Sequence, residues 1–300
     1  MIKPPRLYPG ATIGVAAISG PVDPARLEAG LASLRAKGYR QVEASNLRRR
    51  DGFLAGTDAE RVAGYRELLA DPGIDAIFFA RGGYGAARLL PLLDPQELLS
   101  HPKIHLGGSD LTALFAFASR HTSLVTFYGP MVAVQMAEGT PLDWEPVLSG
   151  GTVPPVELPA SDRLAHGVGE GPLVGGCLSL VASLCGTPEA VRGAGSVFFW
   201  EDVGEEIYRL DRMLTQLERS GTFDRLEAML IGTIAPGREG AESPERVRAW
   251  LTARFEGAPF PVAMGFPAGH SRDTRTIPLG VKVRVDVDRG TVRFLEPGVA

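Results

Sequence analysis

The sequence predicts an α/β protein with a parallel sheet in its first part and a second, mixed α/β domain containing antiparallel strands. Up to about residue 135, apolar strand-like runs alternate with helix-like segments, as in parallel sheets whose helices cover the faces. Near the end of the chain, Val281, Val283, Val285 and Val287 alternate with polar residues, which is the period of a half-exposed antiparallel strand.

The first strand–helix unit is the clearest. Residues 12–17 predict a buried strand, and Asp23 followed by Pro24 supplies an N-cap and a proline at the first helical position. Gly38 stands where a glycine ends many helices. The same reasoning predicts a helix starting near residue 57 and strands at 74–80 and 125–128.

Ser109 lies on a predicted turn between a strand and a helix. Residues 104–107 are typical of a buried strand and residues 111–118 of a packed helix. Gly107 and Gly108 have no side chains, so the turn can be tight and can present the hydroxyl beside a helix N-terminus, as a nucleophilic serine requires. The alternative is that Ser109 or Asp110 only caps the helix.

A glycine-rich turn, Arg81-Gly82-Gly83-Tyr84-Gly85, follows the predicted strand at 74–80. Such a turn exposes several backbone N–H groups and can hold an anion. Its spacing differs from a dinucleotide-binding fingerprint, and an oxyanion site beside Ser109 fits it better. Arg81 and Ser109 both follow strands of a parallel sheet, at the edge where ligands of such sheets bind.

Two candidate partners of Ser109 come from the second part of the chain. Residues 139–171, rich in proline and glycine, predict a linker between a first domain at 1–138 and a second at 172–300. Glu201 follows an apolar strand and is the carboxylate that we most expect to be buried and held in a fixed orientation. The alternative is that it only belongs to a helix N-terminus rich in acidic residues. His270 follows a strand at 261–266, although a single histidine is more often a loop or core residue.

Composition narrows the classes of function. The formal net charge is −4, which leaves no basic surplus for nucleic acid or an anionic membrane surface. The N-terminal residues show no apolar core of signal-peptide length and no later apolar run approaches the length of a membrane span, so we expect a cytoplasmic protein. The two cysteines and five histidines show no metal-binding spacing, and we predict neither a metal nor a cofactor.

A serine, a carboxylate and a histidine are the groups that nucleophilic acyl transfer needs: the histidine takes the serine proton, and the carboxylate orients and stabilises the histidine. Spacing alone does not bring the three together. The chain as a whole, however, closely resembles the serine LD-carboxypeptidases, the muramoyltetrapeptide carboxypeptidase family that includes the microcin C immunity proteins. The segments that carry this resemblance are 19–21, 54–58, 81–85, 107–114, 128–131, 173–178, 201–205 with Tyr208-Arg209, 269–270 and 277–280.

The resemblance implies an N-terminal Rossmann-like domain and a Ser-Glu-His hydrolase, with Ser109 as nucleophile and Glu201 and His270 as relay. Family members cleave the L,D bond that holds a terminal D-alanine on a murein tetrapeptide, inside the cell during wall recycling. This chain has Gly108 where the family often has tyrosine, and Thr274 where it often has asparagine. Both changes are expected to alter substrate fit without removing the chemistry.

For the rest of the site, we predict that the N–H groups of Asp110 and of the Gly82-Gly83 turn hold the oxyanion, with Tyr84 among the substrate-binding residues. Arg81 is predicted either to bind the free carboxylate of the terminal D-alanine or to form a structural ion pair. We expect a homodimer that acts on a murein tetrapeptide or a related peptide. Alternative functions are hydrolysis of a peptide-nucleotide antibiotic amide, or small-molecule binding on the same scaffold without turnover.

Overall fold

The computed structural model describes residues 1–139, 142–235 and 243–300. Its strands are β1 (Thr12–Ala16), β2 (Arg40–Glu43), β3 (Ala76–Phe79), β4 (Ile104–Gly107), β5 (Thr126–Tyr128), β6 (Val156–Glu157), β7 (Arg163–Ala165), β8 (Val168–Cys177), β9 (Val197–Val203), β10 (Ala228–Ala235), β11 (Val262–Ala263), β12 (Ile277–Leu279), β13 (Lys282–Asp286) and β14 (Thr291–Phe294). The α-helices are α1 (Pro24–Ala36), α2 (Asp58–Ala70), α3 (Pro95–Ser100), α4 (Thr112–His121), α5 (Trp144–Leu148), α6 (Leu178–Ser183), α7 (Ile207–Arg219) and α8 (Pro244–Arg254).

The first sheet has the strand order β12-β5-β4-β3-β1-β2 and confirms the predicted parallel architecture. Strands β1 to β5 pair in parallel. Every residue of the inner strands β1, β3 and β4 is buried, as expected of strands covered on both faces. Helix α1 begins after the predicted N-cap, because the Asp23 side chain accepts a hydrogen bond from the N–H of Arg26.

The second sheet is mixed, with the order β6-β14-β13-β8-β9-β10-β11-β7. Its centre, β8 to β11, is parallel, whereas β13, β14, β6 and β7 pair antiparallel with their neighbours. The predicted valine-rich strand is β13, in which Val283 and Val285 are buried and Lys282 and Arg284 are exposed. The predicted α/β class with antiparallel strands in its second part is therefore confirmed.

Strand β12 connects the two parts of the chain, and the segment predicted as a linker contains a helix and strands. Residues 139–171 contain α5, β6, β7 and the start of β8, and residues 140 and 141 of this segment lie outside the described part. Helix α5 is apolar and buries Trp144, Val147 and Leu148. Strand β12 returns from the second half of the chain to pair antiparallel with β5 of the first sheet.

A further contact joins the start of α4, just after Ser109, to the end of β8. The N–H of Cys177 donates to Thr112 Oγ1 at 3.0 Å. A Cβ atom on Gly176, where φ is +145°, would lie only 2.6 Å from Thr112 Oγ1, so the close approach requires glycine. Among the described residues, no helix is long and apolar enough to span a membrane.

Candidate active site

Ser109 lies on the predicted turn between β4 and α4. The residue has φ of +59°, a left-handed conformation that is uncommon outside glycine, and it begins a short 3₁₀ turn, Ser109–Leu111. A strained residue between a strand and a helix is the geometry that presents a nucleophilic hydroxyl above a sheet. Ser109 is half-buried, whereas Gly107 and Gly108 are fully buried beneath it.

The glycine-rich turn packs directly on Ser109. A Cβ atom on Gly82 would lie 2.7 Å from Ser109 Cβ, 2.9 Å from Ser109 Oγ and 3.3 Å from the backbone nitrogen of Asp110. The N–H of Asp110 therefore lies beside the turn, as the oxyanion prediction requires. Gly83 is exposed in the next position, with φ of +116°.

The side chain of Asp110 holds this turn in place. Its Oδ2 accepts hydrogen bonds from Ser19 Oγ at 2.6 Å and from the N–H of Ala86 at 2.8 Å, and the residue is 1% exposed. Buried Arg61 supports the same region by donating to the carbonyls of Ile18 and Gly85. The carboxylate of Asp110 is thus a structural anchor.

Among the described residues, Arg81 donates hydrogen bonds to backbone carbonyls and to no carboxylate. Its Nε donates to the carbonyl of Gly82 at 3.2 Å and its Nη1 to that of Pro21 at 3.1 Å. Tyr84 is 53% exposed, and its ring centroid lies 5.7 Å from that of Phe53, which is 64% exposed. The turn therefore presents an exposed aromatic pair beside the Ser109 turn.

Glu201 and His270 are brought together although 69 residues separate them. Glu201 is fully buried in β9, which extends beyond the predicted strand end to Val203. Its Oε2 accepts from His270 Nδ1 at 2.7 Å and from the N–H of His270 at 3.1 Å. Gly269 permits this approach, because with φ of +138° a Cβ atom there would lie 2.7 Å from Glu201 Oε2.

This pairing sets the electrostatics of His270. Burial by itself lowers its pKa, but the hydrogen bond and charge of Glu201, with the charge of Asp202, raise the pKa above the usual 6.5. A carboxylate partner at Nδ1 assigns the proton to Nδ1 and leaves Nε2 as the basic nitrogen. In the described chain, Ser109 Oγ makes no hydrogen bond to His270; such contacts often tighten only when substrate is bound.

Tyr128 begins the segment 128–131 that contributes to the family resemblance, but the sequence analysis gave its side chain no role in the site. Its hydroxyl donates to Glu201 Oε1 at 2.6 Å and accepts from the N–H of Ser109 at 2.8 Å. Its position could have indicated a role in the site. Tyr128 ends β5, which neighbours β4, and the carboxyl ends of parallel strands lie at the same edge of a sheet.

Thr274 and Gly108, the two residues that differ from the family pattern, both lie close to groups of the site. Thr274 is buried, and its Oγ1 accepts from the N–H of Gly269 at 3.0 Å, so it fixes the loop that carries His270. A Cβ atom on Gly108 would lie 3.3 Å from the ring of Tyr128. Within the described residues, no group of three or more His, Cys, Asp or Glu side chains could hold a metal ion.

A strained serine turn at the end of a parallel strand, near a histidine that is hydrogen-bonded to a buried carboxylate, is the architecture of a serine hydrolase. Comparison with known proteins agrees with this class. Residues 13–129 match the LD-carboxypeptidase N-terminal domain and residues 170–285 the LD-carboxypeptidase C-terminal domain. The chain therefore belongs to the LD-carboxypeptidase family, a family of serine peptidases.

Individual relatives cover nearly the whole chain. A putative carboxypeptidase of Streptomyces coelicolor is 41% identical over 100% of this chain and 98% of its own length. A probable murein peptide carboxypeptidase of Bacillus subtilis is 33% identical over 99% of this chain and 95% of its own length. A structure of the microcin C7 self-immunity protein MccF, in an inactive mutant without ligand, covers 100% of both chains with a TM-score of 0.90 and 27% identity.

Proposed function

We propose that the protein is a serine carboxypeptidase that hydrolyses the L,D-peptide bond holding the terminal D-alanine of a murein tetrapeptide. The observation that carries this proposal is the contact of His270 with the buried Glu201 carboxylate at 2.7 Å, together with the left-handed Ser109 turn. The similarity to a probable murein peptide carboxypeptidase supports the substrate class.

In the proposed reaction, Nε2 of His270 takes the proton of Ser109 as Oγ attacks the scissile carbonyl. The resulting oxyanion is held by the N–H groups of Asp110 and the Gly82-Gly83 turn. The imidazolium then protonates the leaving amine, D-alanine departs, and the peptide remains as an ester on Ser109. Water, deprotonated by His270, releases the shortened peptide and restores the hydroxyl.

The free carboxylate of the substrate is assigned to Arg81. Two nitrogens of its guanidinium donate to backbone carbonyls, which fix the group beside the glycine-rich turn. Within the described residues, Nη2 has no hydrogen-bond partner; it lies 3.6 Å from the position of a Cβ atom on Gly83. A guanidinium held in this way can recognise a carboxylate and so select a chain terminus.

The direct test is incubation with purified murein tetrapeptides followed by mass spectrometry. We expect the loss of one D-alanine, and no loss with Ser109→Ala. Turnover by Ser109→Ala would contradict the nucleophile assignment. An intact tetrapeptide, combined with labelling of Ser109 by a serine-directed covalent probe, would reject the substrate and retain the serine chemistry. An intact tetrapeptide with no labelling would favour the binding-protein alternative.

A second candidate is hydrolysis of a peptide-nucleotide antibiotic amide. MccF has been solved in complex with glutamyl sulfamoyl guanosine, which contains a nucleobase. The exposed Phe53 and Tyr84 rings offer an aromatic surface on which a base could stack. Release of glutamate from this compound, reduced by Tyr84→Ala, would support the second candidate over the first.

A further inference from the structure

We propose that Tyr128 is a positioning residue that joins the nucleophile turn to the buried carboxylate, withdrawing the Ser109 amide from oxyanion binding and setting the basicity of His270. The inference rests on the proposed serine chemistry but not on the identity of the substrate. It follows from the two hydrogen bonds of one hydroxyl group.

In both hydrogen bonds of the Tyr128 hydroxyl, the surroundings fix which group donates and which accepts. Tyr128 is 2% exposed, and Glu201 is fully buried, so neither group exchanges its partner for water. Burial is the largest of the causes that raise the pKa of Tyr128 well above 10, and the hydroxyl therefore keeps its proton. Because the Ser109 amide can only donate, the single phenolic proton is directed to Glu201 Oε1 at 2.6 Å.

The bond to Ser109 has a consequence for the oxyanion site. The amide of a nucleophilic serine can itself stabilise the oxyanion, as in chymotrypsin-like enzymes. Here the Ser109 N–H is already committed to Tyr128 at 2.8 Å. The oxyanion donors must then come from elsewhere, and the backbone nitrogen of Asp110 lies 3.3 Å from the position of a Cβ atom on Gly82. The same bond helps to hold Ser109 at its left-handed φ of +59°.

The bond to Glu201 affects the proton affinity of His270. Oε2 of Glu201 accepts both bonds from His270, and within the described residues Oε1 accepts only from Tyr128. Without the hydroxyl, the buried carboxylate would lose one of the donors that disperse its charge. A proton on His270 would then be stabilised more strongly, so the apparent pKa of His270 would rise.

The other titratable groups near this pair do not replace Tyr128. Asp202 accepts bonds from the N–H groups of Ser179 and Val203, and its charge acts on His270 in the same direction as that of Glu201. Cys177 lies 3.7 Å from Asp202 Oδ1, and burial raises the pKa of its thiol well above 9, so it remains neutral. Tyr128 is thus the neutral donor that faces the carboxylate from the first sheet.

The test is an NMR titration of His270 in protein labelled with ¹³C at histidine Cε1, with the resonance assigned by its loss in His270→Gln. We expect Tyr128→Phe to raise the apparent pKa of His270 by about one unit. Tyr65→Phe is the matched control, because Tyr65 is 1% exposed and its hydroxyl bonds His105 Nε2 at 2.8 Å. That control should leave the His270 titration unchanged. His105, whose pKa burial lowers to about 4, titrates outside the window.

The opposite perturbation keeps the proposal testable if Tyr128→Phe does not fold. Replacement of Tyr128 by 3-fluorotyrosine retains the ring and gives a more acidic, stronger donor, so the apparent pKa of His270 should fall. A folded Tyr128→Phe variant with an unchanged His270 titration would overturn the proposal, as would a fluorotyrosine variant with no shift. A shift of equal size in Tyr65→Phe would also overturn it.

Once a substrate is identified, steady-state kinetics of Tyr128→Phe provide a second test. For Tyr128→Phe we expect kcat to fall about ten- to a hundredfold, with KM little changed, because the buried hydroxyl is not available to substrate. The acidic limb of the pH profile of kcat/KM should move upward with the His270 titration. A uniform loss at all pH values, without movement of the limb, would show a packing role only. If no substrate is turned over, the NMR result still decides the inference.

Discussion

Gly82→Ala tests whether the glycine-rich turn is there to make room for the nucleophile. The new Cβ atom would lie 2.7 Å from Ser109 Cβ and 2.9 Å from Oγ, about 0.7 Å or less inside the closest ordinary contact of 3.4 Å. Ser109 must move by roughly that amount, and a displacement approaching 1 Å at a reacting atom costs about a hundredfold in rate. We therefore expect kcat/KM to fall about a hundredfold. Overpacking at a turn should lower the free energy of unfolding by only about 1 to 3 kcal/mol.

The adjacent glycine supplies the control. Gly83→Ala places a side chain at φ of +116°, which is strained, but its nearest neighbours, the backbone atoms of Gly20, lie at 3.4 Å. It should therefore lower the free energy of unfolding by about 1 kcal/mol and change the rate much less than Gly82→Ala does. For both variants, D-alanine release gives the rate and urea unfolding curves give the free energy of unfolding. Near-native turnover by Gly82→Ala, or equal losses in the two variants, would refute the steric argument.

Further predictions concern the catalytic groups. Ser109→Ala should abolish hydrolysis while substrate binding and the melting temperature stay nearly unchanged, since the half-buried hydroxyl lies on a turn; near-native turnover would reject it as nucleophile. Glu201→Gln should lower kcat roughly a thousandfold with little change in KM, and the double variant with Ser109→Ala should be no slower than Ser109→Ala alone; losses that multiply would place Glu201 outside the relay. Arg81→Lys should raise KM for the acid substrate but not for its C-terminal amide, whereas equal losses on both would indicate a structural role. Because the pKa of His270 is raised in the folded protein, kcat/KM should increase with pH through a midpoint above 6.5. The stability that protonated His270 contributes below pH 6.5 should be lost as the pH rises through this folded-state pKa. Unfolding free energies of wild type and His270→Gln that do not converge with rising pH would contradict this.

The elements that the sequence predicted best are those with local signals. Asp23 and Pro24 mark the start of α1, and Thr57 with Glu60 forms a capping box at the start of α2. The return of β12 to the first sheet has no local signal, because it depends on pairing with β5 about 150 residues earlier in the chain. β12 contains Pro278, which is tolerated because β12 is an edge strand.

In the site, too, features with local sequence signals could be predicted and contacts between distant residues could not. The Ser109 turn could be predicted because glycines, a buried strand and a helix are adjacent in sequence. The Glu201–His270 contact could not be derived from spacing, since a contact between a strand and a loop 69 residues later in the chain depends on the whole sheet order. Tyr128 was missed for another reason: in the short apolar strand β5 it looks like a core aromatic, and only its hydroxyl partners distinguish it.

The placement of His270 follows from two connections that both involve Tyr128. The hydroxyl of Tyr128 contacts the carboxylate that orients the imidazole, and the backbone of Tyr128 pairs with Ile277, where the loop carrying His270 ends in β12. The loop is therefore fixed at one side by Glu201 and at its end by the first sheet. Since Ser109 follows β4 of the same sheet, strand β5 connects the turn of the proposed nucleophile to the loop of the proposed base. The proposed catalytic groups, although distant in the chain, are thus linked through one strand.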